Sequence, residues 1–159
     1  EWPVGIGAKG NEGVANNVMQ TKGSIGYVEY AYAKQNKLSH TKLINKDGKT
    51  VAPVKEAFQA AAANADWASA PGMGVILTDE PGAESWPITN PTFILIHKKP
   101  KDIAAAKDAL KFFDWAYAKG SAEAEALDYV PLPAGVVAQI KKSWADIVGE
   151  DNKPVFATN

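Results

Sequence analysis

Ser24-Ile25-Gly26-Tyr27-Val28-Glu29-Tyr30-Ala31-Tyr32-Ala33 is the stretch on which the reading of this chain turns. From Ile25 to Tyr32 it is dense in aromatic and β-branched side chains, which suit a pleated, half-buried surface, so it predicts a strand. Ala31 to Asn36 then predicts a short helical turn. Working upstream, Val4-Gly5-Ile6-Gly7-Ala8-Lys9-Gly10-Asn11-Glu12-Gly13 is a glycine-rich turn entering a helix over Asn11 to Gln20. Val14, Val18 and Met19 share one face of that helix, and Thr21-Lys22-Gly23 ends it.

Downstream, Thr41 to Ile44 and Thr50 to Val51 flank Asn45-Lys46-Asp47-Gly48-Lys49, where Asp-Gly predicts the positive φ angles of a tight hairpin. Pro53 opens a helix from Val54 to about Asn64, with Val54, Ala57, Phe58 and Ala61 as its core stripe. The chain from Asp66 to Ser85 is irregular, turning at Pro71-Gly72 and Pro81-Gly82. Thr92 to His97 reads as a nearly continuous apolar strand covered on both faces. Asp102 to Lys119 keeps a 3.6-residue apolar period through Ile103, Ala106, Leu110, Phe113 and Tyr117, and Gly120 stops it. Further helices are predicted over Ala122 to Leu127 and Ala134 to Val148, the latter carrying Val136, Ile140, Trp144 and Ile147 on one side. Strands alternating with helices indicate an α/β class.

Composition narrows the function. With 46% hydrophobic and 22% charged residues the chain is globular rather than disordered, and no apolar run approaches the ~20 residues of a membrane span. A net charge of −1 argues against nucleic-acid binding, which leaves a concentrated positive footprint. The absence of cysteine removes disulfides and thiolate metal sites and fits either cytosol or periplasm. Glu1 stands first, with neither methionine nor a signal pattern, so a processed or truncated product is expected. All seventeen basic residues are lysine, so no guanidinium fork is present to grip an oxyanion through two parallel donors.

Candidate motifs each have a bland counterpart. Gly5, Gly7 and Gly10 satisfy G-x-G-x-x-G, and Glu29 lies where a ribose-binding acid would. Only Glu1 to Val4, with Pro3 inside, precedes them, so a tight turn into a helix is the simpler reading. A small nucleotide-binding enzyme stays open as the alternative. His40 and His97 have no metal-ligand spacing, no serine sits in a nucleophile frame, and Asp79-Glu80 and Asp128 read as solvated turn acids. Hence no catalytic residue, metal site or cofactor is assigned. Trp115 and Trp144 sit among apolar helical neighbours and are read as core, whereas Trp2 and Trp67 are left without a role. In Trp86-Pro87, proline fixes φ and holds its predecessor extended, which suits a rigid crossover between two structural units.

Ser24 to Ala33, Trp86-Pro87-Ile88-Thr89, Phe93-Ile94-Leu95-Ile96-His97, Leu110-Lys111-Phe112-Phe113-Asp114-Trp115-Ala116 and Leu127-Asp128-Tyr129 occur in this order. Together, from about Trp2 to about Pro154, they resemble the C-terminal half of periplasmic phosphate-binding proteins, which serve the bacterial phosphate ABC importer. The resemblance implies a fragment of a two-lobed, type 2 periplasmic-binding-protein fold. Residues 1–85 would form the second half of the distal lobe, Trp86, Pro87, Ile88 and Thr89 the interlobe crossover, and residues 90–159 the C-terminal part of the lobe that carries the mature N-terminus. It also implies a periplasmic, non-enzymatic parent that encloses inorganic phosphate and presents it to the membrane permease. The family's ligands come from an N-terminal Thr-Phe segment, a serine, an aspartate and an Arg-x-x-x-Ser-Gly-Thr stretch. None has a counterpart here, and Thr92-Phe93 enters a different strand, so no ligand-binding residue is assigned to this chain. A missing N-terminal half is the implied partner, and self-association of the chain is expected without it. A purely structural, non-binding fragment is the third reading.

Overall fold

The computed structural model describes residues 3–156, so Trp2 and the start of the segment before the glycine turn lie outside the described residues. Two compact units are present. One contains the residues up to Thr41 together with Leu127–Tyr129, and the other contains Lys42–Ala126 and the residues from Val130 onward.

In the first unit, α1 (Gly10–Gln20) and α2 (Tyr30–Gln35) pack together, and each buries one small side chain, Ala15 and Ala33. Gly26 lies so close to α1 that a Cβ there would stand 2.8 Å from Val18 and 2.9 Å from Val14, so only glycine fits. The helix predicted after Ile25 forms, but the strand before it does not. Residues 24–29 run without a ladder among the described residues, and Ile25 and Tyr27 are more than 90% exposed. An extended backbone becomes a strand only when a lateral neighbour pairs its N–H and C=O groups, whatever its side chains prefer.

The second unit holds the cores. Strands β1 (Leu43–Ile44) and β2 (Thr50–Val51) pair antiparallel, with Leu43 opposite Val51. The hairpin is where the sequence put it, although positive φ falls on Gly48 and not on Asp47. Helix α3 (Lys55–Asn64) buries Ala57, Ala61 and Ala62, while Val54 stays outside the core as the residue before the helix. Helix α4 (Ile103–Lys119) is capped by Asp102, whose carboxylate accepts from Ala105 N at 2.9 Å, satisfying one of the unpaired first-turn donors. Helices α5 (Ser121–Ala126) and α6 (Ala134–Ser143) follow. A single tighter turn over Trp144–Asp146 ends α6 earlier than Val148. Val148 N instead donates to Lys98 O, and Val155 N to Ile147 O.

Leu110, fully buried, lies with Ala106, Trp144, Ile147 and Val155 in one cluster, and Phe113, Tyr117 and Ile140 pack on it. A second cluster joins Ala62, Trp67, Leu77 and Val136, and a third joins Val51, Ala57 and Trp86. Trp115 contradicts its expected place in the core, since it is half exposed and tilts against Phe112. It stands five residues beyond Leu110, about 140° around the helix, and therefore on the other side. The predicted strand over Thr92 to His97 is also absent. Ile96 touches the first cluster, but Phe93, Ile94 and Leu95 are exposed and no ladder pairs their backbone among the described residues.

Candidate functional site

Trp86-Pro87-Ile88-Thr89, predicted as a crossover, has dense anchorage around it. Trp86 is buried, its N–H donates to Ala57 O on α3 at 3.0 Å, and its ring meets Phe58 edge-on at 6.2 Å. Asp79 N donates to Pro87 O at 2.9 Å beside the antiparallel bridge between Thr78 and Ile88. Thr89 Oγ1 donates back to Trp86 O at 3.0 Å. The turn just before it is held from within. Asn45, only 5% exposed, points its amide nitrogen at the carbonyls of Gly82, Ala83 and Ser85, and its Oδ1 accepts from Lys49 N. One side chain thus ties the hairpin to the turn that leads into Trp86-Pro87. Ser85, fully buried, donates to Pro81 O and accepts from Asn64 Nδ2. Gly82 has φ +112°, and a Cβ there would stand 2.3 Å from Asn64 Nδ2, so both conformation and space require glycine.

The sequence named Trp86-Pro87 but not Asn45, Asn64 or Ser85. Its only hint was a pair of asparagines and a serine near Pro-Gly and Asp-Gly turns, a pattern shared by most exposed loops.

The glycine turn is built differently from a nucleotide loop. Gly5 and Gly10 take positive φ and Gly7 does not, and the turn delivers the chain into α1. Asn11 Oδ1 then accepts from Glu29 N at 2.8 Å, so Glu29 contributes its backbone here. Glu12, in the first turn, accepts from the Tyr32 hydroxyl at 3.1 Å, and this hydrogen bond pushes the phenol's pKa up. A carboxylate beside the helix N-terminus answers the positive end of the dipole and repels phosphate there. The adjoining cleft, lined by Ala8, Gly10, Asn11, Val14 and Tyr27, is about 270 Å³. That falls just below the ~300–1,000 Å³ of small-molecule pockets. These observations favour the turn as a structural entry to α1.

His40 meets Tyr30 edge-on at 5.6 Å, and His97 is exposed on its extended segment. Asp79, exposed, carries φ +56° in a turn, while Asp128 accepts from Lys34 Nζ at 2.5 Å. These groups do not converge, and no cluster suited to a metal ion occurs among the described residues. Likewise, no helix among them is long and apolar enough to cross a membrane.

A family model described as the PBP superfamily domain matches residues 2–119, most of the chain. The chain belongs to the PBP superfamily. Within it, similarity to proteins named phosphate-binding protein PstS is high. The chain is 52% identical to the one from Pasteurella multocida over 98% of its own length and 46% of that protein. It is 54% identical to the Haemophilus influenzae protein over 91% of its length and 43% of that protein. A relative of the same name from Methanocaldococcus jannaschii is 34% identical over 85% of the chain and 39% of that protein. The chain therefore spans less than half the length of these curated relatives.

Proposed function

We propose that the protein containing this chain is the solute-binding component of a phosphate ABC importer, working in the periplasm and breaking no bond. The observation that carries this is identity above 50% to phosphate-binding proteins across nearly all of the chain. In this reading inorganic phosphate is held between two lobes by hydrogen-bond donors, and lobe closure excludes water and gives the permease a shape to recognise. Residues 1–85 belong to the distal lobe, Trp86, Pro87, Ile88 and Thr89 carry the crossover, and residues 90–159 complete the other lobe.

The ligands themselves would come from sequence outside this chain, which offers no arginine for the oxyanion. The exposed apolar segments Ile25–Tyr27 and Phe93–Leu95 are where the remainder of the protein would supply neighbouring strands. Left alone, these segments favour self-association.

Calorimetry tests the reading. The whole protein is expected to take up one phosphate tightly, and the 159-residue chain to bind poorly. Failure of the whole protein to bind phosphate would overturn the function. A saturable site of about micromolar affinity or better on the isolated chain would overturn the placing of the ligands outside it.

A further inference from the structure

Asp47-Gly48 is the one Asp-Gly pair in the chain, and no Asn-Gly pair accompanies it. It sits at the tip of the hairpin, where residues 46–50 are all exposed. Such a pair carries chemistry of its own, because glycine has no side chain to shield its amide from the carboxyl just before it. Space does not hinder that approach, since nothing stands within 4 Å of where a Cβ of Gly48 would be. What hinders it is the hydrogen bonding of the amide. Gly48 N donates to Asn45 O at 2.9 Å, Asn45 N donates to Lys49 O at 2.9 Å, and Lys49 N donates to Asn45 Oδ1 at 2.9 Å. These bonds close the turn on one residue, and that residue is fixed from behind. Asn45 is only 5% exposed, and its Nδ2 is held on the carbonyls of Gly82, Ala83 and Ser85.

We propose that Asp47 is a site of spontaneous backbone isomerisation and that Asn45 holds the reaction in check. The Gly48 amide loses its proton and its nitrogen bonds to Asp47 Cγ, while the protonated carboxyl gives up a hydroxyl; proton and hydroxyl leave together as water, and a cyclic succinimide remains. Water then adds to the main-chain carbonyl carbon of Asp47 and breaks its bond to nitrogen, so that Gly48 is left joined through Cγ. Nothing is oxidised or reduced and the mass returns to its starting value, but the main chain gains a methylene. The nucleophile forms only when the amide proton is lost, and a proton shared with Asn45 O is lost only when the turn opens. Once the added methylene separates Asp47 from Gly48, the Gly48 and Lys49 amides fall out of register with Asn45. The product therefore undoes the restraint that delayed it.

The test compares the whole protein with a peptide of residues 43–51 at neutral pH. Mass spectrometry after digestion recognises the product by fragment ions that break within the lengthened main chain. The unsubstituted protein is expected to isomerise at Asp47 slower than the peptide by about tenfold or more, and Asn45→Ala to speed the reaction about five- to a hundredfold. Leu110→Ala, which weakens a cluster containing no hairpin residue, should leave the rate unchanged. A rate in the unsubstituted protein equal to the peptide's, a rate unmoved by Asn45→Ala, or an equal acceleration by Leu110→Ala would overturn the proposal. Should Asn45→Ala fail to fold, hydrogen exchange of Gly48 N in the unsubstituted protein decides. Protection of about tenfold or more over the peptide is expected there, and exchange at the peptide's rate would overturn the proposal.

Discussion

Leu110 and Leu95 are both leucines in segments that the apolar pattern marked as interior, yet one is fully buried and the other 92% exposed. The difference lies in how each segment satisfies its backbone. Helix α4 pairs its own N–H and C=O groups at i and i−4, so it can form wherever one face finds partners, and α6 with the Trp144 turn provides them. The segment at Phe93–Leu95, like Ile25–Tyr27, needs a neighbouring strand before its side chains can be covered on two faces. The helices therefore form from their own backbone, while these two apolar segments stay without a ladder among the described residues.

The sharpest way to break this comparison is to truncate both leucines. Leu110→Ala should lower unfolding free energy by about 2–5 kcal/mol, in the chain alone and in the whole protein, because the loss of transfer energy is joined by a cavity. Leu95→Ala should cost less than about 0.5 kcal/mol in the isolated chain and about 2–5 kcal/mol in the whole protein. Urea titrations of both proteins measure this. Equal effects at Leu95 in the two contexts would show that the segment finds no neighbour in the remaining sequence.

Next in size is the polar anchor ahead of Trp86-Pro87. Asn45→Ala leaves three carbonyls and the Lys49 N–H to find other partners within a buried turn, and should cost about 1–3 kcal/mol. A loss that small and local should leave the Leu110 cluster intact, so near-ultraviolet dichroism of Trp144 should keep its native form until unfolding. Smaller again is the helix cap. Asp102→Ala removes the acceptor for Ala105 N and should cost about 1 kcal/mol, whereas Asp102→Asn or Asp102→Ser should recover most of it.

These effects also mark what a sequence can carry. The stripes of α4 and α6 were legible because Ala106, Leu110 and Phe113, or Val136, Ile140 and Trp144, repeat with the helix period, and that period is a property of the segment itself. Asp102 was read as the first residue of α4, whereas it stands just ahead of it as the cap. Trp115 misled because its immediate neighbours are apolar while its angular position is not. The strands at Ile25–Tyr32 and Thr92–His97 were read from side-chain preference, which records suitability for a sheet and not the presence of the neighbour that makes one. Family resemblance was legible in ordered blocks such as Trp86-Pro87-Ile88-Thr89, and the match over residues 2–119 bears it out. The anchors around Trp86-Pro87 were not legible, because Asn45 and Ser85 meet 40 residues apart and no local pattern encodes such a pairing.

The smallest expected effect concerns the Lys34–Asp128 pair, and its pH dependence separates it from the apolar cores. The hydrogen bond from Lys34 holds the Asp128 carboxyl below the ordinary carboxylate value, and the same bond holds the Lys34 ammonium above the ordinary lysine value. For the acid, a depressed folded pKa means that its stabilisation is complete above the unfolded value of about 3.9 and disappears as pH falls through the folded one. For the base, a raised folded pKa means that stabilisation is complete below the unfolded value of about 10.4 and disappears as pH rises through the folded one. The difference in melting temperature between the unsubstituted protein and Asp128→Asn should therefore be flat from about pH 5 to about pH 9 and close toward acid below about pH 4. The Leu110→Ala difference contains no titrating group of its own and should not follow that profile. If the Asp128→Asn difference instead changed between about pH 6 and 8, a histidine rather than Lys34 would be the partner that matters.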